Sequence, residues 1–307
     1  MKYREEDIAR ELHRELLRRF QGCSPTVQGA GVHWDCAVQQ ADRACRIHCF
    51  MQPQGPEYYT CYQQRSETIA YSRSPSSTET LGAVADWLHG NDLPNLYDRY
   101  SFIDATKRRL AQIRDQAIRT EPELGRLAES DLKHQMGDIY HLCFKSSDRA
   151  CEVSFYAKNE WPDARFFWDE CLLFQYQPQE HAQFASVLKS WLRDKLSSSE
   201  MRARFAWLTI DELGDYYDAG KPIEGEFLQS WKRMEEFYDD PQFPYANSVQ
   251  AFVRDLRSKG YDKTLRAGQS LQYRVLSRSR RHGLRSDEPC IQFHFHSGGM
   301  DIRVCLN

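Results

Sequence analysis

The chain of 307 residues lacks the long apolar run that a membrane-spanning helix requires. No stretch approaches about 20 consecutive apolar residues, and the first residues, MKYREED, lack the apolar segment of a secretory signal. We therefore expect a cytoplasmic protein with no membrane partner. The ten cysteines are then expected to be reduced and mostly buried, because cytoplasmic proteins rarely keep disulfides.

The motifs of common cofactor sites and catalytic sites are also missing. The sequence contains no G-x-G-x-x-G, G-x-x-x-x-G-K-[ST], H-E-x-x-H or G-x-S-x-G. It has no C-x-x-C pair either, so nothing indicates a zinc ribbon or a thioredoxin-type site. We predict no cofactor, and the balance favours a non-catalytic protein, although a site assembled from distant residues stays open.

Length and charge indicate a folded chain with more than one domain. About 100–200 residues is typical of a domain, and 41% hydrophobic residues are enough for packed cores. Residues 209–240 hold ten acidic and three basic residues, whereas residues 247–307 hold eleven basic and five acidic ones. Adjacent segments of opposite charge either attract each other or bind different partners.

Two parts of the chain resemble each other. The tetrapeptide Asp-Arg-Ala-Cys occurs at 42–45 and again at 148–151, and an aromatic residue, Trp34 or Tyr140, precedes each copy by the same distance. Farther on, TLGAVADWL at 80–88 matches FASVLKSWL at 184–192. Two matches in the same order at nearly the same spacing predict an internal duplication.

Periodicity predicts an α+β fold of tandem repeated units, each a helix, a four-stranded antiparallel sheet and a second helix. The C-terminus adds a partial third unit. The predicted segments are 1–100 (first unit), 101–200 (second unit), 201–246 (acidic and helical) and 247–307 (partial and basic). The order of elements resembles secretion-chaperone folds, which bind partner polypeptides, but in topology only.

The partial third unit suggests how the protein acts. It lacks the fourth strand and the trailing helix, so Phe293, Phe295, Ile302 and Val304 are expected to leave apolar surface beside an open sheet edge. We therefore predict a non-catalytic binding or adaptor protein that works through protein–protein contacts. A homodimer formed through the C-terminal sheet is the favoured arrangement.

A basic loop at 277–285 supports a second hypothesis. The residues that could bind phosphate or an acidic partner are Arg278, Arg280, Arg281, His282 and Arg285. Clustered guanidinium groups bind phosphate oxygens, so a nucleic-acid-binding or processing protein is the alternative function. The same loop could instead be a solvated basic turn that binds the acidic residues of 209–240 in the same chain or in a neighbouring chain.

A third hypothesis is a hydrolase with a dispersed Cys/His site. The repeated Cys45 and Cys151 are candidate nucleophiles, but both begin apolar stripes and are expected to be buried and inaccessible. His294 and His296 alternate with Phe293 and Phe295 on one strand, so the imidazoles share a face. They are weak metal candidates, and no metal site is predicted from them.

Overall fold

The computed structural model describes residues 5–21, 23–30, 33–155, 160–240, 242–270, 272–280 and 289–306. Helices and antiparallel sheets are mixed, which confirms the α+β class. The chain divides into two compact units, residues 1–194 and 195–307. The finer division into four segments stays a prediction.

The first sheet of the N-terminal unit is an antiparallel meander between helices. Its elements are α1 (Glu5–Arg19), β1 (Thr26–Ala30), β2 (His33–Gln40), β3 (Arg43–Gln52), β4 (Gly55–Gln64), β5 (Glu67–Ser74), α2 (Ser77–Leu88) and α3 (Leu93–Arg99). Ile8, Leu12 and Leu16 recur every four residues of α1 and are buried against the sheet. The Ser76 side chain accepts from the backbone N–H of Glu79 and so begins α2.

A second meander follows in the same unit. Its elements are α4 (Ala105–Thr120), β6 (Lys133–Met136), β7 (Ile139–Lys145), β8 (Arg149–Ser154), β9 (Asp163–Trp168), β10 (Cys171–Tyr176) and α5 (His181–Leu188). Both sheets have five strands, so the predicted four-stranded sheet is wrong. The added strands β1 and β6 are short, and β1 contains Gly29; neither has the apolar alternation that identifies a strand.

The two Asp-Arg-Ala-Cys segments make matching contacts. The Arg43 guanidinium lies 4.0 Å from the centre of the Trp87 ring, and its Nη1 donates to the Trp87 carbonyl oxygen at 2.8 Å. The Arg149 guanidinium lies 4.1 Å from the Trp191 ring and donates to the Trp191 carbonyl oxygen at 3.2 Å. Arg43 thus joins the start of β3 to the end of α2, and Arg149 joins the start of β8 to the π-helical turn Lys189–Arg193 that follows α5.

The C-terminal unit packs helices against a four-stranded meander, so the prediction that this unit lacks a fourth strand is wrong. Its elements are α6 (Ser198–Arg204), α7 (Leu213–Asp218), α8 (Pro222–Phe237), α9 (Ala246–Ser258), β11 (Arg266–Ser270), β12 (Tyr273–Ser277), β13 (Cys290–His296) and β14 (Gly299–Cys305). Trp231, Val249 and Val253 from the helices meet Leu276 and Phe293 from the sheet in one core. Helix α9 ends where Gly260 adopts the left-handed backbone conformation.

Only part of the expected apolar surface is exposed. Phe293 and Phe295 are 7% and 8% exposed because Phe252 of α9 packs on both rings, so the prediction that these two are underprotected is wrong. Ile302 and Val304 are 59% and 58% exposed, as predicted.

In the described ranges, no helix has both the length and the apolar character to cross a membrane.

Candidate functional site

Four polar side chains meet on the face of the first sheet that points away from its core. They are His33 and Asp35 on β2, His48 on β3 and Cys61 on β4. The strand register places Asp35 directly opposite His48, and His33 lies two residues before Asp35, so it shares the face. The alternate residues Cys36, Ile47 and Cys49 point into the core.

Three of the four side chains, His33, Asp35 and His48, meet at one carboxylate oxygen, and we call these three residues the His/Asp cluster. Oδ1 of Asp35 lies 2.7 Å from Nδ1 of His48 and 3.1 Å from Nε2 of His33. The Asp35 side chain is 6% exposed, whereas the two imidazoles are 22% and 24% exposed. A buried carboxylate thus binds two half-buried imidazoles that remain open to solvent on one side.

Aromatic rings fix the positions of the two imidazoles. The ring of His33 lies 5.0 Å from that of Phe50 and meets the ring of His48 edge-on at 5.1 Å. Tyr59 packs edge-on against Phe50 at 5.2 Å. Nδ1 of His33 is buried with no hydrogen-bond partner among the described residues. The orientation of His33 therefore depends on ring packing and on its contact with Asp35.

Cys61 contacts the far side of the His48 ring. Its Sγ lies 3.7 Å from Nε2 of His48, so Cys61, His48 and Asp35 form a chain of polar contacts. Burial raises the pKa of the Cys61 thiol, with Arg46 opposing the shift. A nucleophilic cysteine needs a lowered pKa. The arrangement therefore favours ligand binding by the two imidazoles and the carboxylate over attack by the thiol.

The described part of the basic loop binds within its own unit. Nε and Nη2 of Arg280 donate to Oε1 of Glu226 on α8 at 3.0 and 2.9 Å, and the Tyr217 hydroxyl donates to the same oxygen. Glu226 is buried, whereas the Arg278 side chain is exposed. The predicted binding residues Arg281, His282 and Arg285 lie outside the described residues. Arg280 thus makes the intrachain contact with the acidic segment that the charge pattern allowed.

The weak metal candidates are looser than the His/Asp cluster. His294 and His296 share the polar face of β13, as the alternation predicts, and their ring centres are 6.0 Å apart. Carboxylate oxygens of Asp301 on β14 lie 3.9 Å from Nδ1 of His294 and 3.5 Å from Nε2 of His296. Asp301 is 76% exposed, so water competes for every one of these contacts.

The repeated cysteines are structural. Cys45 and Cys151 are 1% and 0% exposed, which confirms their predicted burial. Desolvation raises the pKa of both thiols well above the ordinary range. Neither thiol has the electropositive, accessible surroundings of a nucleophile.

The chain matches no protein-family model, and neither curated proteins nor solved structures contain a significant match to it.

Sequence reasoning missed the His/Asp cluster, although part of the signal was present. The hairpin turn at Ala41 and Asp42 sets the register that pairs Gln40 with Arg43. Continuing that register along the hairpin places Asp35 opposite His48 and brings His33 to the same face. None of His33, Asp35 and His48 is a candidate from local sequence pattern alone, because their proximity follows from the pairing of β2 with β3.

Proposed function

We propose that the protein is a non-catalytic binding protein that acts through protein–protein contacts, and that β14 provides the contact surface. The observation that carries this proposal is the apolar stripe of Ile302, Val304 and Leu306, which are 59%, 58% and 78% exposed. Ile302 and Val304 lie opposite Phe293 and Ile291 on β13. The stripe therefore continues the core face of the sheet beyond the cover of α9.

The edge of the sheet at β14 supports the same proposal. Within the described residues, β14 pairs only with β13, so its outer backbone N–H and C=O groups are available to another strand. Exposed edges with apolar side chains are templates for strand addition. A strand added there would gain backbone hydrogen bonds and cover the apolar stripe at the same time.

A second copy of β14 is the occupant that the side chains fit best. If two copies pair antiparallel about a two-fold axis at Ile302, residues equally distant from Ile302 face each other. Asp301 of each copy then lies opposite Arg303 of the other, and Met300 lies opposite Val304. Opposite charges meet on one face and apolar side chains on the other.

Sedimentation equilibrium of the full chain tests the proposal. The wild type is expected to form a dimer in a concentration-dependent way, and Ile302→Lys is expected to weaken association at least tenfold, because two ammonium groups would meet at the axis. Ile223→Lys is the matched control, since Ile223 is 49% exposed on α8 of the same unit. A monomeric wild type at all concentrations, or equal weakening by both variants, would contradict self-pairing of β14.

We further propose that the two meanders of the N-terminal unit are tandem copies of one ancestral unit, with the C-terminal sheet as a partial third copy. The matching contacts of Arg43 with Trp87 and of Arg149 with Trp191 support the first two copies. The order of α9 followed by an antiparallel meander supports the third.

A further inference from the structure

We propose that the His/Asp cluster of the first sheet is a binding site for a divalent first-row transition metal ion, with zinc as the expected occupant. His33 and His48 would bind through Nε2 and Nδ1, and Asp35 through Oδ1. These three atoms lie within 4.8 Å of one another and come from three side chains on two adjacent strands. This inference is independent of the proposed function, because the cluster lies in the unit of residues 1–194 and β14 lies in the unit of residues 195–307.

The donor set fits such an ion by chemistry. Two imidazole nitrogens and one carboxylate oxygen are the protein ligands of many open zinc sites and of 2-His-1-carboxylate iron sites. Calcium and magnesium prefer oxygen ligands throughout. The combination therefore selects a transition metal ion over those two cations.

Two of the three distances between ligand atoms are already close to those around a bound ion. Ligand atoms bound to zinc lie about 2.0–2.2 Å from the ion, so they are roughly 3.3 Å apart in tetrahedral geometry. Oδ1 of Asp35 is already 3.1 Å from Nε2 of His33 and 2.7 Å from Nδ1 of His48. A bound ion would require these two pairs to separate by a few tenths of an ångström. It would also require the two imidazole nitrogens, which lie within 4.8 Å of each other, to reach a similar spacing. Three coordination bonds would then replace two hydrogen bonds.

The surroundings supply an outer contact for His48 and access for solvent, whereas Nδ1 of His33 has no hydrogen-bond partner among the described residues. With Nδ1 of His48 on the ion, its Nε2 carries the proton and donates toward Sγ of Cys61 at 3.7 Å, which holds the required tautomer. Cys61 therefore lies on the side of the ring away from the ion and is not a ligand. Because both imidazoles are partly exposed, a water molecule can complete the coordination of the ion.

The site is tested with zinc and with cobalt as a spectroscopic substitute. The full-length protein is treated with a chelator, and Zn²⁺ binding is measured by calorimetry. The wild type is expected to bind one equivalent. Asp35→Asn and His48→Gln are each expected to lower the affinity by more than roughly 100-fold, because changes to supporting residues alone cost 10–100-fold.

Matched variants show where the ion binds. The double variant His294→Ala/His296→Ala removes the histidine pair of β13 in the other unit and is expected to bind zinc like the wild type. Cys61→Ser is expected to retain the affinity as well. Tetrahedral Co²⁺ bound by the wild type should show ligand-field bands without the intense sulfur-to-metal charge-transfer absorption of a thiolate ligand.

Several results would overturn the proposal. These are no zinc binding by the wild type, full binding by both Asp35→Asn and His48→Gln, or loss of binding only in the His294→Ala/His296→Ala variant. A charge-transfer band that disappears in Cys61→Ser would make the thiol a ligand and refute the three-ligand site. Circular dichroism verifies the fold of each variant; if one unfolds, His33→Gln, at the start of β2, replaces it with the same expected loss.

Discussion

Removal of the Arg280 guanidinium is expected to destabilise the C-terminal unit strongly. In the structure, Oε1 of Glu226 accepts two hydrogen bonds from Arg280 and one from Tyr217. The glutamate side chain is 7% exposed, so water cannot replace the lost donors. Arg280→Ala would therefore leave a buried carboxylate with one remaining donor among these contacts.

The expected loss follows from the partial burial of the pair. Removing one partner of a fully buried ion pair costs about 3–5 kcal/mol. Arg280 is 28% exposed, and Tyr217 still donates to Glu226 in the variant. The attraction within this pair, and the stability lost when Arg280 is removed, are therefore smaller than for a fully buried pair. We expect the free energy of unfolding to fall by about 2–3 kcal/mol.

This change is measured in the C-terminal unit by urea unfolding, monitored through hydrogen-exchange mass spectrometry of peptides from α8 and β12. Arg278→Ala is the matched control, because Arg278 is exposed two residues earlier; it should change the free energy by less than about 0.5 kcal/mol. Equal effects of both variants would refute the reasoning. The reasoning would also be refuted if added salt abolished the destabilisation caused by Arg280→Ala, since a buried ion pair is only weakly screened.

Further predictions concern the N-terminal unit. Burial raises the pKa of Asp138 to about 7, although a hydrogen bond from Thr106 opposes the shift. The ordinary pKa is 3.8, so the folded protein holds this proton more tightly than the unfolded chain. The free energy of unfolding should therefore fall as pH rises from about 4 to 7. Asp138→Asn should therefore raise the urea-unfolding free energy by about 2–4 kcal/mol at pH 8 and by little at pH 4; an equal gain at both would contradict this. Arg43→Ala should lower the free energy of unfolding by about 2 kcal/mol through loss of the ring contact with Trp87 and of the hydrogen bond to its carbonyl. Arg149→Ala should cost at least as much, because Arg149 is 4% exposed; thermal unfolding with no loss in either variant would contradict these roles.

Periodicity predicted the elements whose apolar side chains repeat regularly. The spacing of Ile8, Leu12 and Leu16 identified α1, and alternation identified β3 and β13, because burial of one face imposes those periods. It missed β1, β6 and β11, which are held by backbone pairing to β2, β7 and β12. Pairing of this kind depends on the neighbouring strand more than on the segment's own composition.

The candidate site was harder to predict because it depends on register. His33, Asp35 and His48 are unremarkable as residues in the sequence, and their meaning arises only when β2 and β3 pair. A shift of one residue would send His48 to the core face. Burial of Asp35 depends in addition on how the outer face of the sheet is covered, which no local pattern encodes.

The most direct test of the central claim is a charge exchange on β14, measured by sedimentation equilibrium at low ionic strength. Asp301→Arg alone would place like charges opposite each other twice per dimer, and so would Arg303→Asp alone. Cross-strand charge pairs contribute about 0.2–1 kcal/mol each, so each single variant is expected to weaken dimerisation roughly tenfold. The double variant Asp301→Arg/Arg303→Asp restores opposite charges and is expected to dimerise like the wild type. Additive weakening in the double variant would contradict the pairing of β14 with a second copy about Ile302.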